Sequence, residues 1–584
     1  MNSAYRIRKG NSGMALLTAL MFISVTIIVL TSMTARYIQQ RLQVDRFEDY
    51  YNCFEVAEAA VSVGKSALDR SEFVFRVGIP DEWEPQFDEE TNMLILPEFD
   101  DDGIVPATFE TVPGAEYIVY IHDWENDGRD TNGDGEIDSD AEIGMYSVHA
   151  AARLNGVVRR IEAIFSTHDI GVWRNAIFAG SGQAGGVING NVSVAGSVHI
   201  LGENIPDGGT AVTALDMIGA SLIHNHYDGM PAYLRQRIPD IPIKTHYGEE
   251  VETLDAMLRV RRGRVALSGD AHIGQEFVSG SGLKGPMDGV YVTDGWTGNS
   301  VNPTPDGRGE PWKGFYADNG SQETYDLGNR VSFPLLTDDW RNPDGSRVHN
   351  PSTGTWYTHE EYFTEVLVAD PDIPDDGIFN GDITLSARNE QGFYYNANTG
   401  EHITGAAVAA LNPAALDPSH DYILMKPGTN SVLYINGNLR INGTLKFKSQ
   451  GNGTTIHYSG RAAFLVNDLV IESNLITVNN GNPDDFVGTY PQDNCLGIMA
   501  YNSMEIGGSA AQLDIMGAFY AQDQIRSAKQ TNVLGTFVSS YFNISNQVPS
   551  IWQVPVLASS LPLGMIGNYP ILNVRSISWR EIGV

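Results

Sequence analysis

The chain has 584 residues and carries 72 acidic against 37 basic side chains, a formal net charge of −35. Such a length allows a sizeable core and two or three domains. Carboxylates in this excess repel phosphate backbones, which excludes nucleic acid as an expected partner; calcium or a basic partner suits the charge better. The two cysteines, Cys53 and Cys495, lie far apart in regions of different texture, so no disulfide framework is expected. Glycine is enriched, at 61 residues, and lysine is scarce, which favours turn-rich β structure.

Residues 14–35 read MALLTALMFISVTIIVLTSMTA, without charge, proline or glycine. About 20 such residues span a bilayer. Arg6, Arg8 and Lys9 precede them and no acid does, so residues 1–13 stay cytoplasmic and everything after the span is exported. A secretory signal peptide fits less well, because the apolar run is too long and no A-x-A-like site closes it. The helical pattern also continues past the membrane. Residues 36–63 lack proline and glycine, and Phe47, Tyr50, Tyr51, Phe54, Ala57 and Val61 recur at helical spacing. One helix over 14–69 would be a rod of about 80 Å.

A short basic leader ending in Gly13, followed by Met14-Ala-Leu-Leu heading an apolar helix, resembles a prepilin signal cut after glycine. The continuation NCFEVAEAAV at 52–61 is similar to the N-terminal region of PilX-type minor pilins, and the K-type minor pseudopilin of type II secretion begins alike. The resemblance covers about the first 70 residues. It implies cleavage between Gly13 and Met14 by a prepilin peptidase, single-pass insertion in the inner membrane, and assembly with other pilin subunits. Most pilins have glutamate at the fifth mature position, where this chain has Thr18; the two tip-type families also tend to lack it.

Residues 71–113, rich in proline and acids, read as a linker. Three strands are expected next, over 116–122, 145–154 and 157–165, the last two joined by an Asn155-Gly156 hairpin turn. A long helix followed by a small antiparallel sheet resembles a pilin headgroup. Between the first two strands lies DTNGDGEIDSDAE at 130–142. Oxygen side chains at alternate positions with a glycine turn suit a hard cation, so Asp130, Asn132, Asp134, Glu136, Asp138, Asp140 and Glu142 are candidate calcium ligands. The first six positions match the EF-hand loop, but position twelve is Ala141 and strands replace the helices. Nine acids against Arg129 alone over 122–142 would repel one another strongly without a cation.

From Trp173 onward a corner motif recurs: INGNVSV at 188–194, LSGDAHI at 267–273, FNGDITL at 379–385 and INGNLRI at 435–441, with VNDLVI at 466–471 lacking the glycine. Gly497, Gly517 and Gly535 begin further apolar runs. Units of this kind cannot bury an apolar face alone and do so by stacking, so 171–275 and 377–560 are expected to form a parallel β-helix. Residues 276–376 lack the motif and read as an inserted lobe, and 561–584 as a C-terminal tail. An immunoglobulin-like sandwich is the alternative fold.

No carboxylate pair stands out as an acid/base couple, and no phosphate loop, catalytic triad or zinc spacing is present. His224-Asn-His226-Tyr-Asp228 has metal-like spacing but reads better as an exposed polar strand. Cys495 reads as a small buried apolar residue. Trp296, Trp312, Trp340 and Trp356 suit either sugar stacking or the lobe's own core. The expectation is thus a non-enzymatic minor pilin or pseudopilin presenting a β-helix to a surface glycan or protein ligand. The alternative is a membrane-anchored, carbohydrate-active β-helix enzyme.

Overall fold

The computed structural model describes residues 12–582, apart from segments 71–74, 88–93, 125–144, 182–186, 207–211, 298–313, 369–376, 450–454, 508–511 and 544–548 and shorter stretches of one to three residues. The protein is mostly β with one long N-terminal helix. It divides into two compact units, Met1–His168 with Val574–Val584, and Asp169–Asn573.

In the first unit a single helix, Ser12–Asp69, runs 58 residues, about 87 Å at helical rise. Its last third packs on an antiparallel sheet whose strands lie in the order Arg76–Val77, Glu116–Asp123, Met145–Leu154, Val157–Asp169, Leu572–Ile582. The three expected strands are therefore present, and Asn155 and Gly156 (φ 50° and 82°) make the expected two-residue turn. The helix face that meets the sheet overlaps the recurring positions in part: Phe54, Ala57 and Val61 pack there. Cys53, Val56, Ala57 and Ala60 are buried, whereas Phe47 and Tyr51 are exposed. Small side chains let the sheet come close and push the large rings to the flanks. At Gly64 a Cβ would sit 2.4 Å from Val148 Cγ1. The segment expected as a tail supplies the strand Leu572–Ile582, tied to Val157–Asp169 by Arg159–Glu581 (2.8 Å) and Arg580–Glu162 (2.5 Å).

The second unit is built on parallel ladders. The strands Thr455–Ile471, Asn474–Thr477, Leu513–Ser527 and Cys495–Ala500 close a parallel ring of four. Across the ladders, buried side chains form columns. One column runs Leu439, Phe464, Ile498, Phe519, Phe537, Ile177, Val198, Leu258, Val290. A second runs Ile456, Leu475, Ile515, Val533, Ile551, Val194, Ile223, Ile273, Phe315. All eighteen are buried, each contributing about 1.5–3 kcal/mol. At about 4.8 Å per strand the columns are about 38 Å deep.

The order within these columns is not chain order. The late strands Thr531–Asn543 and Ser550–Trp552 pair with the early strands Ile177–Ala179 and Ser193–Ala195. The body thus begins and ends in the middle of its own stack. Gln553 closes that seam: its Oε1 accepts Ser197 N–H (2.7 Å) and its Nε2 donates to Arg174 O (2.9 Å).

This arrangement corrects the expected boundaries. Gly289–Val292 pairs with Met257–Val260, and Phe315 with Ile273, so the stack extends well into the segment expected as a separate lobe. From Tyr325 the chain runs as a strap along the stack's outer face. Tyr325 Oη bonds His199 Nε2 (2.7 Å), the Phe333 ring stacks on Phe178 and Tyr520, and Leu336 N–H donates to Gln522 Oε1 (3.0 Å). The strap returns the chain to the far end, where Ile378–Asn380 pairs with Val432–Lys448. An antiparallel group, Phe393–Asn396, His402–Thr404 and Tyr422–Met425, adjoins that strand.

The corner motif marks stacked positions with two slips. INGNVSV and LSGDAHI share a register through the intervening 217–223, which has no asparagine. FNGDITL stacks on 441–447, six residues beyond the motif at 435–441. Gly517 faces Gly535, but Gly497 faces Ala518.

Candidate functional site

The apolar half of the long helix is exposed, and the helix is long and apolar enough to cross a membrane. Five of its hydroxyls bond carbonyls one turn back within the helix. Ser24 donates to Leu20 O (2.8 Å), Thr26 to Phe22 O (2.7 Å), Thr31 to Ile27 O (2.7 Å), Thr34 to Leu30 O (2.8 Å), and Thr18 to Met14 O. Hydroxyls bonded in this way need no water, which suits a hydrocarbon environment. Gly13 and Met14 lie in the first helical turn. At the other end, the Arg159 guanidinium lies 3.2 Å over the Tyr50 ring while pairing with Glu581, and so joins helix, sheet and last strand.

The candidate calcium ligands Asp130, Asn132, Asp134, Glu136, Asp138, Asp140 and Glu142 lie outside the described residues. Their flanking strands converge on a buried polar cluster that the sequence did not signal. Trp124 Nε1–H donates to Ser147 Oγ (3.1 Å), which bonds His149 Nε2 (2.9 Å), and Glu162 stands 3.7 Å from that nitrogen. Burial, then the positive neighbours His122 and Arg580, push His149 down to about 3. It is a neutral structural imidazole at physiological pH.

His224, Asn225 and His226 are buried, which overturns their reading as an exposed strand. They form a hydrogen-bonded chain. Ser193 Oγ lies 2.6 Å from His224 Nε2, the two Nδ1 atoms are 3.3 Å apart, and His226 Nε2 bonds Gln275 Oε1 (2.9 Å). Asp228 N–H donates to His226 Nδ1 (3.2 Å), which makes that nitrogen an acceptor and His224 Nδ1–H its second donor. The histidines therefore bond each other, and among the described residues no group of three ligands could hold a metal. Ser193 beside a histidine has the outline of a nucleophile and base, but burial holds His224 near 3. A base so weak has little use at neutral pH. Asn225 is structural too: its Oδ1 accepts the N–H groups of Leu254 (3.1 Å) and Ala256 (2.8 Å).

Both cysteines are free and buried, and burial pushes the Cys495 thiol up to about 12. The tryptophans part company. Trp340 is buried and stacks on Tyr362 (4.2 Å), Trp296 packs on Phe315 (4.8 Å), and Trp356 is exposed beside His349. Trp312 lies outside the described residues.

No protein-family model matches the chain, and no curated protein matches it. Among solved structures it is similar to the competence-associated pilin ComZ from Thermus thermophilus, at 16% sequence identity and a TM-score of 0.44, over 91% of this chain and 97% of that one. A likeness of that degree carries no functional inference.

Proposed function

We infer that this chain is a non-enzymatic, PilX-like minor pilin or pseudopilin. One observation carries the reading: a single helix is bare and apolar over its first half and clamped to a small antiparallel sheet over its last third. Such a helix serves a membrane, or a bundle of like helices, while displaying a folded head. Residues 14–35 anchor it in the inner membrane, prepilin peptidase cuts between Gly13 and Met14, and the subunit joins other pilins in a filament. The parallel columns support reading the second unit as a β-helix, the recognition body for a surface glycan or protein. The weak base at His224 favours recognition over catalysis.

Thr18 and the size of the body favour the filament tip. An acid at the fifth mature position is useful only with a neighbour ahead to neutralise it, since a lone charge in hydrocarbon costs about 2.5–3.5 kcal/mol. A second unit of about 400 residues fits a tip better than every turn of a rod. Immunogold against the second unit should mark filament ends; regular labelling along the shaft overturns this placement. N-terminal sequencing should find Met14 first, and retention of residues 1–13 overturns the processing step. The loop at 130–142 is proposed to bind calcium at about 10⁻⁴–10⁻³ M. Equal melting temperatures in millimolar calcium and in chelator would remove that role.

A further inference from the structure

The hairpin Ile243–His246/Glu249–Glu252 turns through Tyr247 and Gly248, with φ of 48° and 83°. Both centres of such a turn need positive φ, and asparagine, aspartate or glycine normally fills the first. A tyrosine there costs about 1–2 kcal/mol of backbone strain. Ring contacts to His246 and Phe277 offset part of that cost, yet the residue is left 69% exposed. A strained turn that holds a large ring mostly in solvent is a pointer to function.

The ring is not isolated. His246 lies 4.3 Å and Phe277 5.4 Å from it, centroid to centroid, and Val278, next to Phe277 in the chain, is exposed. The platform is firmly mounted. Lys244 Nζ pairs with Asp255 Oδ2 (2.6 Å), and the Glu249 carboxylate accepts Gly280 N–H (2.7 Å) and the Ser279 hydroxyl. Glu252 N–H donates to Gly282 O (2.9 Å), which ties the hairpin to the loop that carries Phe277. An aromatic surface fixed in advance loses little entropy on binding.

The geometry points to Tyr247 and Phe277 as a platform for a neutral sugar ring. The lysines near it, Lys244 and Lys284, are already paired, while Glu250 and Glu276 are exposed in the same hairpin and loop. Carboxylates accept hydrogen bonds from sugar hydroxyls and repel anionic ligands. Tyr247, Phe277 and Val278 fall far short of the roughly 800 Å² per partner of a stable protein interface, yet suit one or two pyranose faces. This inference rests on reading the second unit as a recognition body.

The test is calorimetric titration of the full-length protein in detergent with cellohexaose, maltohexaose and chitohexaose. At least one should bind, and Tyr247→Gly should weaken it about tenfold, equivalent to about 1.4 kcal/mol. Tyr247→Phe should retain binding, and Tyr247→Gly should melt no lower than wild type because the strain is relieved. Binding of none of the three, or equal binding by Tyr247→Gly, overturns the inference. So does a Tyr247→Gly variant that binds no sugar but melts lower, which would make the ring structural. If Tyr247→Gly instead weakens self-association, the patch is a protein contact and the sugar reading fails. Labelling of filaments by either variant tests the pilin reading separately, since Tyr247 lies outside the helix.

Discussion

At Gly64 the long helix touches Val148 and Val119 so closely that any side chain must displace them. Gly64→Val should therefore destabilise the first unit by about 1–3 kcal/mol despite its better helix propensity, as a lower melting temperature of that unit. An unchanged melt would mean the helix lies farther from the sheet. In the second unit, His224 and His359 are buried, and burial lowers them to about 3 and about 4. Unfolding releases each to its ordinary value near 6.5, where it takes up a proton that the folded state refuses. Their stability contribution is thus complete above about pH 6.5 and is lost as pH falls toward 4. At pH 5 each should cost about 1–2 kcal/mol. Melts at pH 7.5 and pH 5 should show the loss, and His359→Gln should reduce it; a variant with the wild-type pH dependence contradicts the assignment. His224 follows Ile223 but His226 follows Asn225, and nothing in their spacing separated a buried hydrogen-bonded pair from an exposed strand.

The seam between the first and last strands of the body is an element-scale feature. Gln553 bridges Ser197 N–H and Arg174 O, and its own carbonyl accepts the Tyr227 hydroxyl. Gln553→Leu keeps the volume but leaves the buried Ser197 N–H unbonded, at a cost of about 1–3 kcal/mol, and takes a donor from the half-buried Arg174 carbonyl. Chemical denaturation should show a drop of about 1–3 kcal/mol in the second unit, and a drop below about 0.5 kcal/mol would mean the seam is held otherwise. The individual strands were legible because apolar alternation and Gly/Asn corners are local signals. Their partners were not. The repeat at 435–441 looks like the one at 379–385, yet 441–447 is what stacks on it, because pairing follows where the strap delivers the chain.

Over the whole second unit, residues 171–317 and 377–558 supply opposite ends of one pair of columns, so neither can close its core alone. Expressed separately, each should be insoluble or lack a cooperative melt; co-expressed, they should associate. A 377–558 fragment that melts cooperatively at the temperature of the intact protein would show that the columns are two independent bodies. The strand Leu572–Ile582 likewise makes the first unit depend on both ends of the chain, a pairing hidden from sequence because 418 residues separate Glu162 from Arg580.

The sequence by itself determined the apolar span, the uninterrupted helix, the Asn155-Gly156 hairpin and the β texture of the rest. Each rests on interactions within a few residues: helical hydrogen bonds, turn preferences and side-chain alternation. Only the tertiary structure decided which helix face is buried, that the body starts in the middle of its own stack, and that the final strand returns to the first sheet. Those choices depend on contacts hundreds of residues apart, whose energy comes from shape and burial that no local pattern encodes.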